Sequence, residues 1–130
     1  MFEGGIRALL DEFDRLLLKI INETLKYTLG DATVKIIYDY LKRKSCPIYE
    51  IPRKPEVFSS ELRMILQSNS GLRFHSSLSA LGTVSILERT IVKRLCSKLG
   101  VEFNEEGPIV FEDWIKRLRE VYYHGKSGNC

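Results

Sequence analysis

"IRALLDEFDRLLLKIINETLKYTLGD", residues 6–31, decides the fold. Ile6, Leu9, Leu10, Phe13, Leu16, Leu17, Ile20 and Ile21 recur at three- and four-residue spacing, the pattern of one face of an α-helix that runs to about Leu29. Gly30 then supplies a left-handed stop, and Asp31 reads as the N-cap of a second helix. Two helices joined by one or two residues must fold back on each other. Leu18, Leu25 and Tyr27 fall outside the main stripe, so the helix is apolar over more than one face. These three residues are expected either in the centre of the bundle or at a contact with a second copy of the chain.

The same reading extends along the chain. A second helix over 32–44 presents Val34, Ile37, Tyr38 and Leu41, and Pro47 prevents its continuation. "CPIYEIPRKPE", residues 46–56, holds three prolines and reads as an extended connection with a short strand at "IYEI". Pro55 suits the first turn of a third helix, with Phe58, Leu62, Ile65 and Leu66 on one face. "QSNSGLRFHSSLSALG", residues 67–82, is either a loop or, with Ser77 as cap, an early start to the fourth helix. Leu78, Leu81, Val84, Leu87, Ile91 and Leu95 carry that helix to Gly100, after which Val101 and Phe103 turn back onto it. A fifth helix begins at Phe111 with Trp114, Ile115, Leu118 and Tyr122 inward. The expectation is an all-α bundle of about five helices in one domain, residues 1–125, with a flexible tail at 126–130.

Composition agrees with this. At 130 residues, 44% hydrophobic and 28% charged, the chain is long enough to bury one core without metal or disulfide staples. Acids and bases punctuate every apolar run, which argues against a signal peptide or membrane span and for a cytoplasmic protein. Cys46, Cys96 and Cys130 form no close pair and lie far from His75, while His124 has no ligand-like spacing to them, so neither a disulfide framework nor a metal site is expected.

No catalytic constellation emerges. "HGKSGN", residues 124–129, contains Gly-Lys-Ser, but the phosphate loop needs another glycine where this chain has Glu120. Paired carboxylates such as Asp11/Asp14 and Glu112/Asp113 lie on polar faces, where solvated surface is their ordinary role. No cofactor and no small-molecule substrate is indicated.

Charge is more informative in its distribution than in its sum of +3. Residues 1–31 hold four bases against six acids, residues 32–98 twelve against five, and residues 99–130 four against six. Lys42, Arg43, Lys44, Arg53 and Lys54 bracket the proline segment, and Arg89, Lys93, Arg94 and Lys98 add a second group. Aligned on one surface they would meet an acidic protein or the phosphates of a nucleic acid. As isolated groups they would simply be solvated, with residues 42–44 complementing the negative end of helix two.

"IPRKPEVFSSELRMIL", "LERTIVKRLCSKLGVEF" and "FEDWIKRLRE" together resemble the archaeal Nitrosopumilus output domain of the fifth type, over about residues 31–120. The chain departs from that pattern at 67–82, where the family passes almost directly between helices. The resemblance implies an archaeal source and a non-catalytic output or interaction module in a regulatory system, and carries over no catalytic residue. The expected partner is another protein or a second copy of the chain, with a nucleic-acid-binding regulator as the alternative.

Overall fold

The structure is a computed structural model that describes residues 10–67, 80–104, 106 and 109–128. The described residues form five α-helices, α1 (Glu12–Leu29), α2 (Asp31–Arg43), α3 (Pro55–Gln67), α4 (Ala80–Leu99) and α5 (Phe111–Gly128), with a 3-10 turn at Ile48–Arg53. The all-α bundle is as the sequence indicates. Among the described residues, no helix is long and apolar enough to cross a membrane.

Each helix boundary has a local cause. The Asp11 carboxylate accepts a hydrogen bond from the Asp14 amide at 2.8 Å and caps α1, so Leu10 and Asp11 precede the helix rather than belonging to it. Ile6 and Leu9, which the periodicity also assigned to this helix, lie outside the described residues. Gly30 has φ of +87° and ψ of 158°, a region that essentially only glycine occupies, and it is shared as the C-cap of α1 and the N-cap of α2. Asp31 therefore occupies the first turn of α2 and makes no cap. The reversal is complete within one residue. Accordingly Tyr38, eight residues after Gly30, donates to Asn22, eight before it, at 3.0 Å.

The expected strand at "IYEI" is instead part of the 3-10 turn. Pro47 enters it in an extended conformation, its carbonyl accepts from the Glu50 amide at 2.8 Å, and the Lys54 amide closes the other end onto Glu50 and Ile51. Lys54 then offers its own carbonyl to the Val57 and Phe58 amides, and Pro55 stands in the first turn of α3, where its missing N–H costs nothing. At the end of α4, Gly100 with φ of +71° lets the Val101 amide return to the Cys96 carbonyl at 2.9 Å, the closure expected there. The last helix runs on to Gly128, so residues 126–128 continue α5 instead of forming a tail. The Ser77 cap and the early start of α4 lie outside the described residues.

The packing closes a ring. α1 lies against α2 and α4, α3 lies against the same two, and α5 covers α3 and α4. Phe13, Leu17, Ile20, Ile21, Ile37, Leu41, Phe58, Leu62, Leu87, Ile91 and Leu118 meet in one core, each with almost no exposed surface. Each such side chain contributes about 1.5–3 kcal/mol by burial. Cys46 and Cys96 are part of that core, and desolvation pushes both thiols above their ordinary range, which keeps them protonated and inert.

Candidate interaction surface and the charged cavity beside it

One end of the bundle gathers the start of α1, the end of α2, the 3-10 turn and the start of α3, with α5 alongside. Arg119 of α5 ties it together. Its Nη1 lies 2.6 Å from Asp14 Oδ1 and 3.4 Å from Asp11 Oδ2, its Nη2 donates to the Pro52 carbonyl at 2.9 Å, and its guanidinium sits 4.8 Å above the Phe13 ring. Asp14 is only 1% exposed, and Arg53 Nε approaches its second oxygen at 4.0 Å. Tyr122 closes the same seam by donating to Glu12 at 2.6 Å. Partial desolvation pushes the Asp11 carboxyl up, but the Asp14 amide, the Tyr123 hydroxyl and Arg119 together hold it below its ordinary value.

Beside this seam lies a cavity of about 480 Å³, bounded by the 3-10 turn at Pro52 and Arg53, by Pro55 and Glu56 of α3, and by Glu112, Asp113, Ile115 and Lys116 of α5. Asp11, Asp14 and Arg119 form its floor. The buried Asp14 is paired with Arg119, an arrangement that holds α1 and α5 together. Among the described residues, no group of His, Cys, Asp and Glu could hold a metal ion.

The basic residues sort into three kinds. Lys42 and Arg43 are exposed at the end of α2, and Lys44 beside them lies 5.6 Å from the Tyr40 ring, whose hydroxyl donates to Glu61 at 3.0 Å. Next along the chain Ile48 and Tyr49 are 43% and 37% exposed, on a turn anchored by the buried Ile51 and Pro52. Lys54 turns to Glu50 at 3.5 Å and Arg53 toward Asp14, so these two serve the turn itself. Arg89 and Lys93 stand on α4, which faces α2 across the ring, and the two basic groups do not share one surface. Arg89 stacks 5.3 Å from the Phe103 ring, Phe103 packs edge-on against Trp114 at 5.2 Å, and Arg117 covers Trp114 at 4.6 Å. Arg94, from the same basic group, spans back to α1, reaching Thr24 at 3.0 Å and Glu23 at 2.7 Å.

The residues expected at a contact between copies are placed differently. Leu25 is completely buried and Leu18 is half-buried against the core, because both turn toward neighbouring helices of the ring. Only Tyr27, 94% exposed, presents itself to solvent. Helix α1 therefore offers no apolar contact surface of useful size. His124 is exposed, and His75 and Cys130 lie outside the described residues.

Two polar centres depart from the sequence reading: Asp14, expected as solvated surface on a polar face, is buried because it meets Arg119 of α5, and Glu88 went unread. Besides Asp14, Glu88 of α4 is 2% exposed; it accepts from the Ser59 hydroxyl and pairs with Arg63 at 3.3 Å, both on α3. Burial pushes the Glu88 carboxyl up, opposed by Ser59 and Arg63. A signal was present in both cases: Asp14 interrupts the stripe Leu10, Leu17, Ile21, and Glu88 interrupts Val84, Ile91, Leu95. An acid at a core position implies a buried counter-charge.

Set beside known proteins, the chain matches no family model, and neither curated proteins nor solved structures give a match.

Proposed function

We propose that the protein is a non-catalytic helical interaction module that docks an acidic segment of a protein partner on the surface formed by the end of α2 and the 3-10 turn. The observation that carries this reading is the pairing of Ile48 and Tyr49, exposed on a rigidly anchored turn, with the adjacent cations of Lys42, Arg43 and Lys44. A tyrosine held by a packed backbone loses little entropy on contact, and flanking cations steer an acidic partner to it. The resemblance to the archaeal output domain supplies the setting, a regulatory system.

The test is a fluorescence-anisotropy titration with a labelled peptide that alternates Asp and Glu with Leu and Phe. Binding should weaken as salt is raised. The variant K42E/R43E/K44E should lose affinity by about tenfold or more, and Tyr49→Ala should weaken binding without changing its salt dependence. Absence of binding at millimolar peptide, or binding indifferent to both variants, overturns the proposal. A mixed-sequence DNA duplex is the second arm. If the duplex displaces the peptide, with affinity falling steeply in salt, the surface belongs instead to a nucleic-acid-binding regulator.

A further inference from the structure

The 3-10 turn is flanked by groups of opposite sign. The end of α2, the helix that packs against the turn, carries exposed Lys42, Arg43 and Lys44, and the cavity bounded by the turn is lined by exposed Glu56, Glu112 and Asp113 from the first turns of α3 and α5. Ile48 and Tyr49 lie on the turn between them, and Val110, 54% exposed, borders the acidic side. The cations lining the cavity are Lys116, one turn after Glu112, Arg53, which is drawn toward Asp14, and Arg119, which is paired with Asp11 and Asp14.

A surface that runs positive, apolar, negative is complementary to itself when rotated by half a turn. Two copies related by a two-fold axis through the 3-10 turn bring the cations of each against the carboxylates of the other, with the apolar residues of both at the centre. Such an isologous contact forms every pair twice. We infer that a second copy of this chain occupies this end of the bundle, with Lys42, Arg43 and Lys44 of each copy facing Glu112 and Asp113 of the other. The inference rests on the reading of the turn as a docking surface and names the chain itself as one source of the acidic partner. The demand on area is modest: a stable contact takes about 800 Å² per copy, and the whole described surface is 8286 Å².

The experiment is light scattering after size exclusion on the full chain, at low and high salt, with two charge-reversed variants. Wild type should be dimeric at tens of micromolar in low salt and dissociate as salt is added. K42E/R43E/K44E and E112K/D113K should each be monomeric where wild type is dimeric, and an equimolar mixture of the two should recover the dimer mass, since the reversed charges complement each other. A wild type that stays monomeric, a dimer indifferent to both variants, or a mixture that fails to reassociate overturns the inference. Should circular dichroism show the triple variant unfolded, Tyr49→Glu replaces it, with the same monomeric outcome expected. The docking surface is judged separately: E112K/D113K keeps the lysines and must still bind the acidic peptide, and its failure to do so removes that reading, whereas a monomeric wild type that binds peptide removes self-association alone.

Discussion

Arg119 and Asp14 are separated by 105 residues in the chain and by 2.6 Å in the fold, joining α5 to the first turn of α1 over a carboxylate that is almost wholly buried. Arg119→Met leaves that carboxylate with Arg53, at 4.0 Å, as its ion-pair partner among the described residues. The expected cost in urea denaturation is about 3 kcal/mol, because an uncompensated buried charge costs more than the pair contributes. The double variant D14L/R119M should recover much of the loss. A sum of the two single effects, with no coupling, would show that the pair is not the seam described here.

Glu88 and Asp11 should leave opposite marks on the pH dependence of stability. Burial raises the Glu88 carboxyl above its ordinary 4.5, so folding takes up a proton. Its contribution is fully present below 4.5 and is lost as pH rises through the folded value. Stability of wild type relative to Glu88→Gln should therefore decline as pH rises above about 4.5 and level off once the folded carboxyl is ionised. Parallel stability curves for the two proteins would rule this out.

Asp11 behaves the other way, since its carboxyl is held below the ordinary 3.8. Its contribution is present above 3.8 and lost as pH falls through the lower folded value. Asn also caps helices well, so Asp11→Asn isolates the charge. The variant should match wild type at the lowest pH and fall behind it above pH 4, read from thermal unfolding across that range.

Among the described residues three have left-handed backbone, with different consequences. Gly30→Ala places a side chain at φ of +87° and ψ of 158° and should cost about 1–3 kcal/mol, although nothing within 4 Å would obstruct its Cβ. Gly100→Ala, at φ of +71°, should cost about 1 kcal/mol. Ser45 sits at φ of +64° without being glycine, so Ser45→Gly should stabilise by up to about 1 kcal/mol. Chemical denaturation checks all three signs.

Leu25 and Tyr27 are two residues apart and differ completely in burial. Leu25→Ala should destabilise by about 2–5 kcal/mol through the cavity it leaves. Tyr27→Ala should change stability by less than about 0.5 kcal/mol. If the Tyr27 variant altered the dimer mass in light scattering, the contact between copies would lie on α1 instead of at the turn.

The sequence by itself determined the elements. Spacing of Phe13, Leu17, Ile20 and Ile21, the stops at Gly30 and Gly100 and the start at Pro55 are local facts, set by backbone sterics and by the 3.6-residue period, and they are legible without a partner segment. Local rules failed where two outcomes differ by a few hydrogen bonds, as at Ile48–Arg53, where a 3-10 turn replaced the expected strand and the described residues contain no strand to pair with it. Which way Leu25 and Tyr27 face, that Arg94 braces α1 while Lys42 and Arg43 stay in solvent, and that Asp14 meets Arg119 were decided only by tertiary structure. Those outcomes depend on contacts between residues some 70 to 105 positions apart. The periodicity of one helix reports how much of it is buried, whereas the identity of the neighbour that buries it is a property of the assembled ring.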